Sequence, residues 1–468
     1  MRSIIKRSLG WAAVVVVALS VGAGHAVAER PARPNILLIV ADDLGWSDVG
    51  WHGGFGKTPN LDRLVREGVE LDRFYVQPQC TPTRAALLSG RQPGRFGPHA
   101  LGPSNRRALP PGTVTLASSL KSLGYATYQV GKWHLGSRPE WGPNAYGFDE
   151  SYGTLTGAAD PWTHKYRAGA YEDTWHRNGQ LFDEKGNATE LIAAQALRWI
   201  QGEGGEVSSP RQPWFLYVPF HAVHTPVDTP PDYKKLYEGV VFHDDPSKQD
   251  SRLRMAAMVS QVDAKVGAFV EALEASGQRN NTLVIFLSDN GGIESLKNAY
   301  IGDVADSPLN SENDPLRGQK AQLYEGGIRV CGFVNWPGVL APRVCRSPMH
   351  AVDWLPTIAG LVGFAPETDP QWDGVDRWEA IAGPEDQPRP KPIFIRHRAG
   401  EAVLAGPWKL VLMPKKPPQL FAINDDPYET TDLASEQPAV VARLTAAIEK
   451  DGQQNPSEVP ADLIDFPN

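Results

Sequence analysis

The sequence predicts an α/β fold: a large, mostly parallel central sheet flanked by helices, plus a smaller C-terminal α+β subdomain. Three features predict it. Apolar runs without polar alternation recur along the chain, helical patterns stand between them, and from about Gly374 prolines crowd and the strands shorten. A strand that is apolar on both sides is covered on both sides, and crossover helices do that covering in parallel sheets.

The chain opens with a basic head (Met1 to Ser8), an apolar run from Leu9 to about Ala23, and Ala26-Val27-Ala28. This is the form of a secretory signal peptide over residues 1–28. The run is shorter than the ~20 residues of a spanning helix, so no stable membrane insertion is expected. The mature protein is expected in the periplasm or outside the cell. Asn35 to Ala41 is the first buried strand. Asn60 to Gly68 and Thr115 to Gly124 read as helices, capped by Asn60 and Thr115 and stopped by glycine. Tyr125 to Val130, Trp214 to Val218, Thr282 to Leu287 and Val330 to Val334 are further strands, with helices over Thr189 to Ile200 and Arg252 to Ser276. Residues 29–373 form one large domain. Residues 374–468 form the subdomain, with short strands at Ile393 to Ile395 and Trp408 to Leu412 and a last helix from Pro438 to Lys450.

The formal net charge is −8, and no basic run occurs outside the leader. That balance argues against nucleic acid as a partner. Of three cysteines, only Cys331 and Cys345 can pair once Cys80 is set aside, so an exported fold of this size does not rest on disulfides.

The residues at the end of each apolar run carry the chemistry. Asp42-Asp43 come after the first strand, Lys132-Trp133-His134 after the second, His221 and His224 after the third, and Asp289-Asn290 after the fourth. Each alone is also a plain turn, a surface loop or a structural histidine. Together they place ionisable groups at the carboxyl edge of an open parallel sheet, where ligands bind. Asp42, Asp43, Asp289 and Asn290 offer only oxygen donors, which select Ca²⁺ or Mg²⁺ over Zn²⁺; a loose all-protein cage favours one Ca²⁺.

Between the first two strands lies Cys80, followed by Pro82, Arg84 and a small-residue apolar run. A nucleophile at a helix start meets unpaired N–H groups and a positive dipole, a setting for anion chemistry. Taken alone, Cys80 reads equally as a buried free thiol. Cys80-Thr81-Pro82-Thr83-Arg84, closing on Leu88-Ser89-Gly90-Arg91, resembles the signature of the type I, formylglycine-dependent sulfatases. Leu316-Arg-Gly-Gln-Lys320 through Glu325-Gly-Gly resembles their second signature, and His350-Ala-Val-Asp-Trp-Leu-Pro-Thr-Ile is a further shared stretch. The family usually has serine where Thr83 stands. The match runs from Pro34 to about Asp432 and is closest to the arylsulfatase B, or N-acetylgalactosamine-4-sulfatase, type.

The resemblance implies an alkaline-phosphatase-like sandwich, with residues 29–373 as the catalytic domain. It also implies oxidation of Cys80 to formylglycine (3-oxoalanine) by a maturation enzyme, and one calcium on Asp42, Asp43, Asp289, Asn290 and the modified Cys80. By chemistry and matching position, Lys132 and Lys320 clamp the sulfate and Arg84 braces the formylglycine hydrate. His224 is the general acid toward the leaving alcohol and His134 the base that drives sulfate release. Lys132, His224 and Lys320 thus bind substrate, while His221 matches no catalytic position and reads as structural. A hydrated aldehyde suits the reaction because its second hydroxyl can collapse to the carbonyl and expel sulfate.

The substrate expected is a sulfated oligo- or polysaccharide, with N-acetylgalactosamine 4-sulfate or an algal galactan sulfate as the sugar. Trp141, Trp162, Trp175 and Trp372 fall in Gly/Pro/Asp-rich loops, where aromatic faces suit sugar rings and equally suit ordinary packing. The polar loop Ile293 to Pro315 is expected to shape the pocket. The competing readings are a phosphatase or phosphodiesterase of the same superfold, a Cys-His hydrolase, and a secreted glycan-binding protein with an inactive site.

Overall fold

The computed structural model describes residues 33–167, 169–203, 212–294 and 311–466. The leader and most of the loop from Ile293 to Pro315 lie outside the described residues. The strands are β1 (Asn35–Ala41), β2 (Val69–Leu71), β3 (Phe74–Tyr75), β4 (Ala126–Lys132), β5 (Glu150–Thr154), β6 (Trp175–Arg177), β7 (Gln180–Leu181) and β8 (Trp214–Pro219). They continue as β9 (Thr282–Ser288), β10 (Gly332–Asn335), β11 (Arg343–Cys345), β12 (Met349–His350), β13 (Ile393–His397), β14 (Gly400–Ala405), β15 (Trp408–Leu412) and β16 (Gln419–Phe421).

Ten strands form the main sheet in the order β11-β2-β10-β9-β1-β8-β4-β5-β6-β7. Its centre, β9-β1-β8-β4-β5, is parallel throughout. The apolar run of β1 is buried at every residue because its two faces serve two cores. Ile36, Leu38 and Val40 join the core around the helix Cys80–Ser89. Leu37 and Ile39 join the core under the helices Ala188–Ile200 and Pro246–Ala275. Each such side chain contributes roughly 1.5–3 kcal/mol of burial.

The predicted strand at Val330 to Val334 is present as β10, but it runs antiparallel to both β9 and β2. The sheet is therefore mixed toward its edges. Thr115 caps its helix through a reciprocal box with Ser118. Asn60 caps nothing. The helix runs Pro59–Arg66 with Thr58 at its N-cap, and the Asn60 amide donates instead to Asp263 at 2.8 Å. The long helix starts at Pro246, because Asp245 accepts from the Ser247 N–H and Pro246 suits the first turn. The three cysteines are buried and free.

The C-terminal sheet, β13-β14-β15-β16, is antiparallel. One face packs on the helix Pro438–Gly452 through Leu444 and Ile448. The other packs on Tyr75, Leu323 and Ile328 of the main body. Beneath it Lys409 is fully buried between Glu325 (2.9 Å) and Glu429 (2.8 Å). Trp141 and Trp175 belong to the cores and Trp372 packs against one. Of the four loop tryptophans, Trp162 stands out to solvent at 41 % exposure.

Candidate active site

Register brings the strand ends together. Ala41 of β1 pairs with Ser288 of β9, so Asp42-Asp43 and Asp289-Asn290 leave the sheet side by side at one level. The turn after β1 holds Asp43 at φ 61, the left-handed region that non-glycine residues enter when surroundings compel it. Its N–H points at Asp289 Oδ1, 3.3 Å away.

Cys80 is the first residue of a helix whose ten residues are all buried. No side chain caps that end, so its N–H groups remain available. Thr83 keeps the function of a hydroxyl there: its Oγ1 accepts from the Gln77 N–H and donates to the Gln77 carbonyl, both at 3.0 Å. This pins the chain entering Cys80, and either serine or threonine can do it.

Arg84, one turn on, is fully buried and ties two strand ends together, with Asp42 at a third 3.8 Å from its Nη2. It donates to Asp289 Oδ2 from Nε and Nη2 at 3.0 and 2.8 Å, and to the Lys132 carbonyl at 3.0 Å. The Lys132 ammonium meets Asp42 Oδ2, and the Lys320 ammonium meets Asp43 Oδ1. Asn290 Nδ2 donates to the same Asp43 oxygen at 2.7 Å. His224 Nδ1 donates to the Thr225 carbonyl at 2.6 Å, which leaves Nε2 to face Asp43 Oδ2 at 3.6 Å. His134, held at φ 56, is buried beside Gly157. His221 bonds Thr154 at 2.5 Å and stands among the same buried charges.

Three carboxylates (Asp42, Asp43, Asp289) thus face three cations (Arg84, Lys132, Lys320), all buried. The residues present fit a hard divalent cation. Asp42 Oδ1, Asp43 Oδ2 and Asn290 Oδ1 are buried acceptors with no hydrogen-bond partner among the described residues. Donor atoms of Asp42, Cys80 and Asp289 lie within 4.8 Å of one another. Unsatisfied buried oxygens are costly, and a cation is the partner that carboxylate and amide oxygens of this kind would take.

Burial is the first influence on each ionisable group. It raises Asp42, and it raises Asp289 to about 6 with the Asp42 charge adding to it. At Asp43, Lys320 and His224 outweigh burial and hold the carboxyl below its ordinary range. Burial also raises the Cys80 thiol despite Lys132 and Lys320. The unmodified thiol is therefore protonated at neutral pH and a poor nucleophile. Burial, with Lys132 and Arg84 beside it, takes His134 well below its ordinary value. Burial and the two lysines take His224 to about 3 against the pull of Asp43. Both imidazoles are neutral at pH 7.

Sequence reasoning missed two residues here. Asp48 is buried and accepts from the Gly45 N–H (2.7 Å), the Ser311 hydroxyl (2.5 Å) and the Glu312 N–H (2.7 Å). It thereby ties the turn beyond Asp43 to the chain that leads to Lys320. Gly157 packs its Cα face on the His134 ring. Neither has a local signal, since one reads as a turn residue and the other as a loop glycine.

Fold and site together place a buried cluster of carboxylates, cations and Cys80 at the carboxyl edge of an α/β sheet, the arrangement of a hydrolase that acts on anionic esters. Comparison with known proteins says which. A family model described as "Sulfatase" matches residues 34–364. Arylsulfatase J of Mus musculus is 32% identical over 93% of this chain and 79% of its own length. Arylsulfatase A of Bos taurus is 31% identical over 94% of this chain and 90% of its own. The crystal structure of Ps i-CgsB in complex with k-i-k-neocarrahexaose superposes with a TM-score of 0.80 at 31% identity, covering 92% of this chain and 94% of that one. The chain belongs to the sulfatase family and is a sulfuric ester hydrolase. These relatives support the family and do not single out the arylsulfatase B type within it.

Proposed function

We propose that the protein is an exported carbohydrate sulfatase that uses formylglycine made from Cys80 and one Ca²⁺. The observation that carries this reading is the buried convergence of Cys80 with three carboxylates, three cations and three unpartnered oxygens. Asp42, Asp43, Asp289, Asn290 and modified Cys80 would hold the ion, which supplies positive charge to sulfate oxygens, while formylglycine supplies an oxygen nucleophile.

The chain's own groups divide the rest of the work. Without the ion, the three carboxylates and three cations cancel; with it, the site carries two positive charges, which matches an anionic ester. Lys132 and Lys320, each already turned into the cluster, neutralise the sulfate oxygens. Arg84 fixes the orientation of Asp289 and braces the residue-80 side chain. The His224 Nδ1–H bond to the Thr225 carbonyl leaves Nε2 as the atom that carries a proton to the leaving oxygen. A bound sulfate ester brings the negative charge that raises His224 from its depressed value. His134, neutral and without a partner at Nδ1, is the base for sulfate release. Alanine at Lys132, His134, His224 or Lys320 lowers kcat by about two to four powers of ten.

For the sugar, we favour an algal galactan sulfate over N-acetylgalactosamine 4-sulfate, because a solved relative of like size binds a neocarrahexaose. Residues 1–28 would export the enzyme to meet such polymers. Residues 29–373 would supply the catalytic domain and 374–468 the subdomain. Sulfate release from carrageenan, chondroitin, dermatan, ulvan and fucoidan oligosaccharides, beside an aryl sulfate and a phosphate diester, tests the reading. Release from carrageenan oligosaccharides is expected; turnover of the phosphate diester alone refutes it.

A further inference from the structure

Arg398 and Ala399 form the two-residue turn between β13 and β14. The Arg398 guanidinium is exposed and has no hydrogen bond or ion pair with any described residue. The turn does not project away from the molecule. A Cβ at Gly102 would lie 3.3 Å from Arg398 Nε and 3.4 Å from Gln79 Oε1, so the guanidinium and the amide oxygen flank the same glycine. Gln79 directly precedes Cys80, and its Oε1 is a buried acceptor without a partner. On the other side the hairpin rests on the Lys320 loop, since a Cβ at Gly400 would lie 3.2 Å from Leu323 Cδ1. An uncommitted cation from the C-terminal sheet therefore stands between the residue before Cys80 and the loop that carries Lys320.

We infer that Arg398 forms a subsite for a second anionic group, carboxylate or sulfate, on the glycan that bears the scissile sulfate. This rests on the sulfatase reading of Cys80. A guanidinium is donor-only and planar, and it takes a carboxylate or sulfate through two parallel N–H bonds. Gly102 is buried, and a side chain there would press on the guanidinium; its φ of −155 is extended backbone open to any residue, so the glycine matters here for lack of a side chain.

The test uses matured full-length enzyme and compares kcat/KM for three substrates: an aryl sulfate with one anion, a carrageenan oligosaccharide with several sulfates, and a chondroitin disaccharide with a uronate. In Arg398→Ala, the ratio of kcat/KM on the multiply charged glycan to that on the aryl sulfate falls about 10- to 100-fold, through KM. Arg398→Lys recovers part of it, and Gly102→Val, whose new side chain would press on the Arg398 guanidinium, gives the same selective loss with the guanidinium still present. Loss on the carrageenan substrate assigns the group as sulfate; loss on the uronate substrate assigns it as carboxylate. An unchanged ratio in both Arg398→Ala and Gly102→Val overturns the subsite. Failure of the wild type to hydrolyse any sulfate ester overturns the sulfatase reading and the subsite with it.

Discussion

Replacing Gly157 with alanine moves one candidate catalytic group by a known distance. The new methyl would lie 2.1 Å from His134 Nε2 and 2.2 Å from Cε1, whereas ordinary contact begins at 3.4 Å. The ring must retreat by the difference between 2.1 and 3.4 Å, about 1.3 Å. His134 cannot share that shift with its backbone, which is fixed at φ 56 and by its N–H bond to the Leu155 carbonyl at 3.1 Å. A misplacement on the order of 1 Å costs about 100-fold in rate. Overpacking costs about 1–3 kcal/mol of stability, which a folded domain of this size survives. The assay is kcat on an aryl sulfate, with thermal unfolding recorded on the same preparation. Gly157→Ala should lose about two powers of ten while staying folded, and the double variant with His134→Ala should be no slower than His134→Ala alone. Wild-type kcat in folded Gly157→Ala would mean that the ring is not needed where it stands.

Chelation should abolish activity and lower Tm, and added Ca²⁺ should restore both; at 100-fold over its Kd the ion adds about 2.7 kcal/mol. Unchanged Tm and activity after verified metal removal would take the ion out of the account. Burial raises Asp263 to about 6 from 3.8, so its stabilising contribution is full below about pH 4 and is lost as pH rises through 6. Asp263→Asn should therefore gain about 1–3 kcal/mol over wild type at pH 8 and nothing at pH 4, read by urea unfolding at both. A difference that does not vary with pH would contradict this. Lys409→Met leaves Glu325 and Glu429 buried without their cation and should cost about 3–5 kcal/mol, seen as a large drop in Tm. A Tm near that of wild type would show that the pair tolerates its loss.

The parallel centre of the sheet is legible because β1, β8 and β9 are carried by apolar runs and β4 by a mixed run without polar alternation, and each ends in the polar residues that the site uses. Asp42-Asp43 and Asp289-Asn290 can be placed together from sequence, since two parallel strands deliver their next residues to one edge. Edge strands are less legible. The β10 run looks like the others, and nothing local distinguishes its antiparallel direction. Asn60 reads as a cap by residue type, but its partner is Asp263, 203 positions away. Trp141 and Trp175 sit in loop-like composition yet fill cores, because burial is decided by what packs on them. Asp48, Gly157 and Arg398 have the same character: each acts through a contact made only when distant segments meet.

The most direct measurement is the mass of the tryptic peptide Phe74–Arg84 from enzyme made in its native host, taken on the preparation whose sulfate release is measured. The account predicts the aldehyde in place of the Cys80 thiol, in a fraction that tracks specific activity across preparations. An intact thiol throughout a fully active preparation would contradict it.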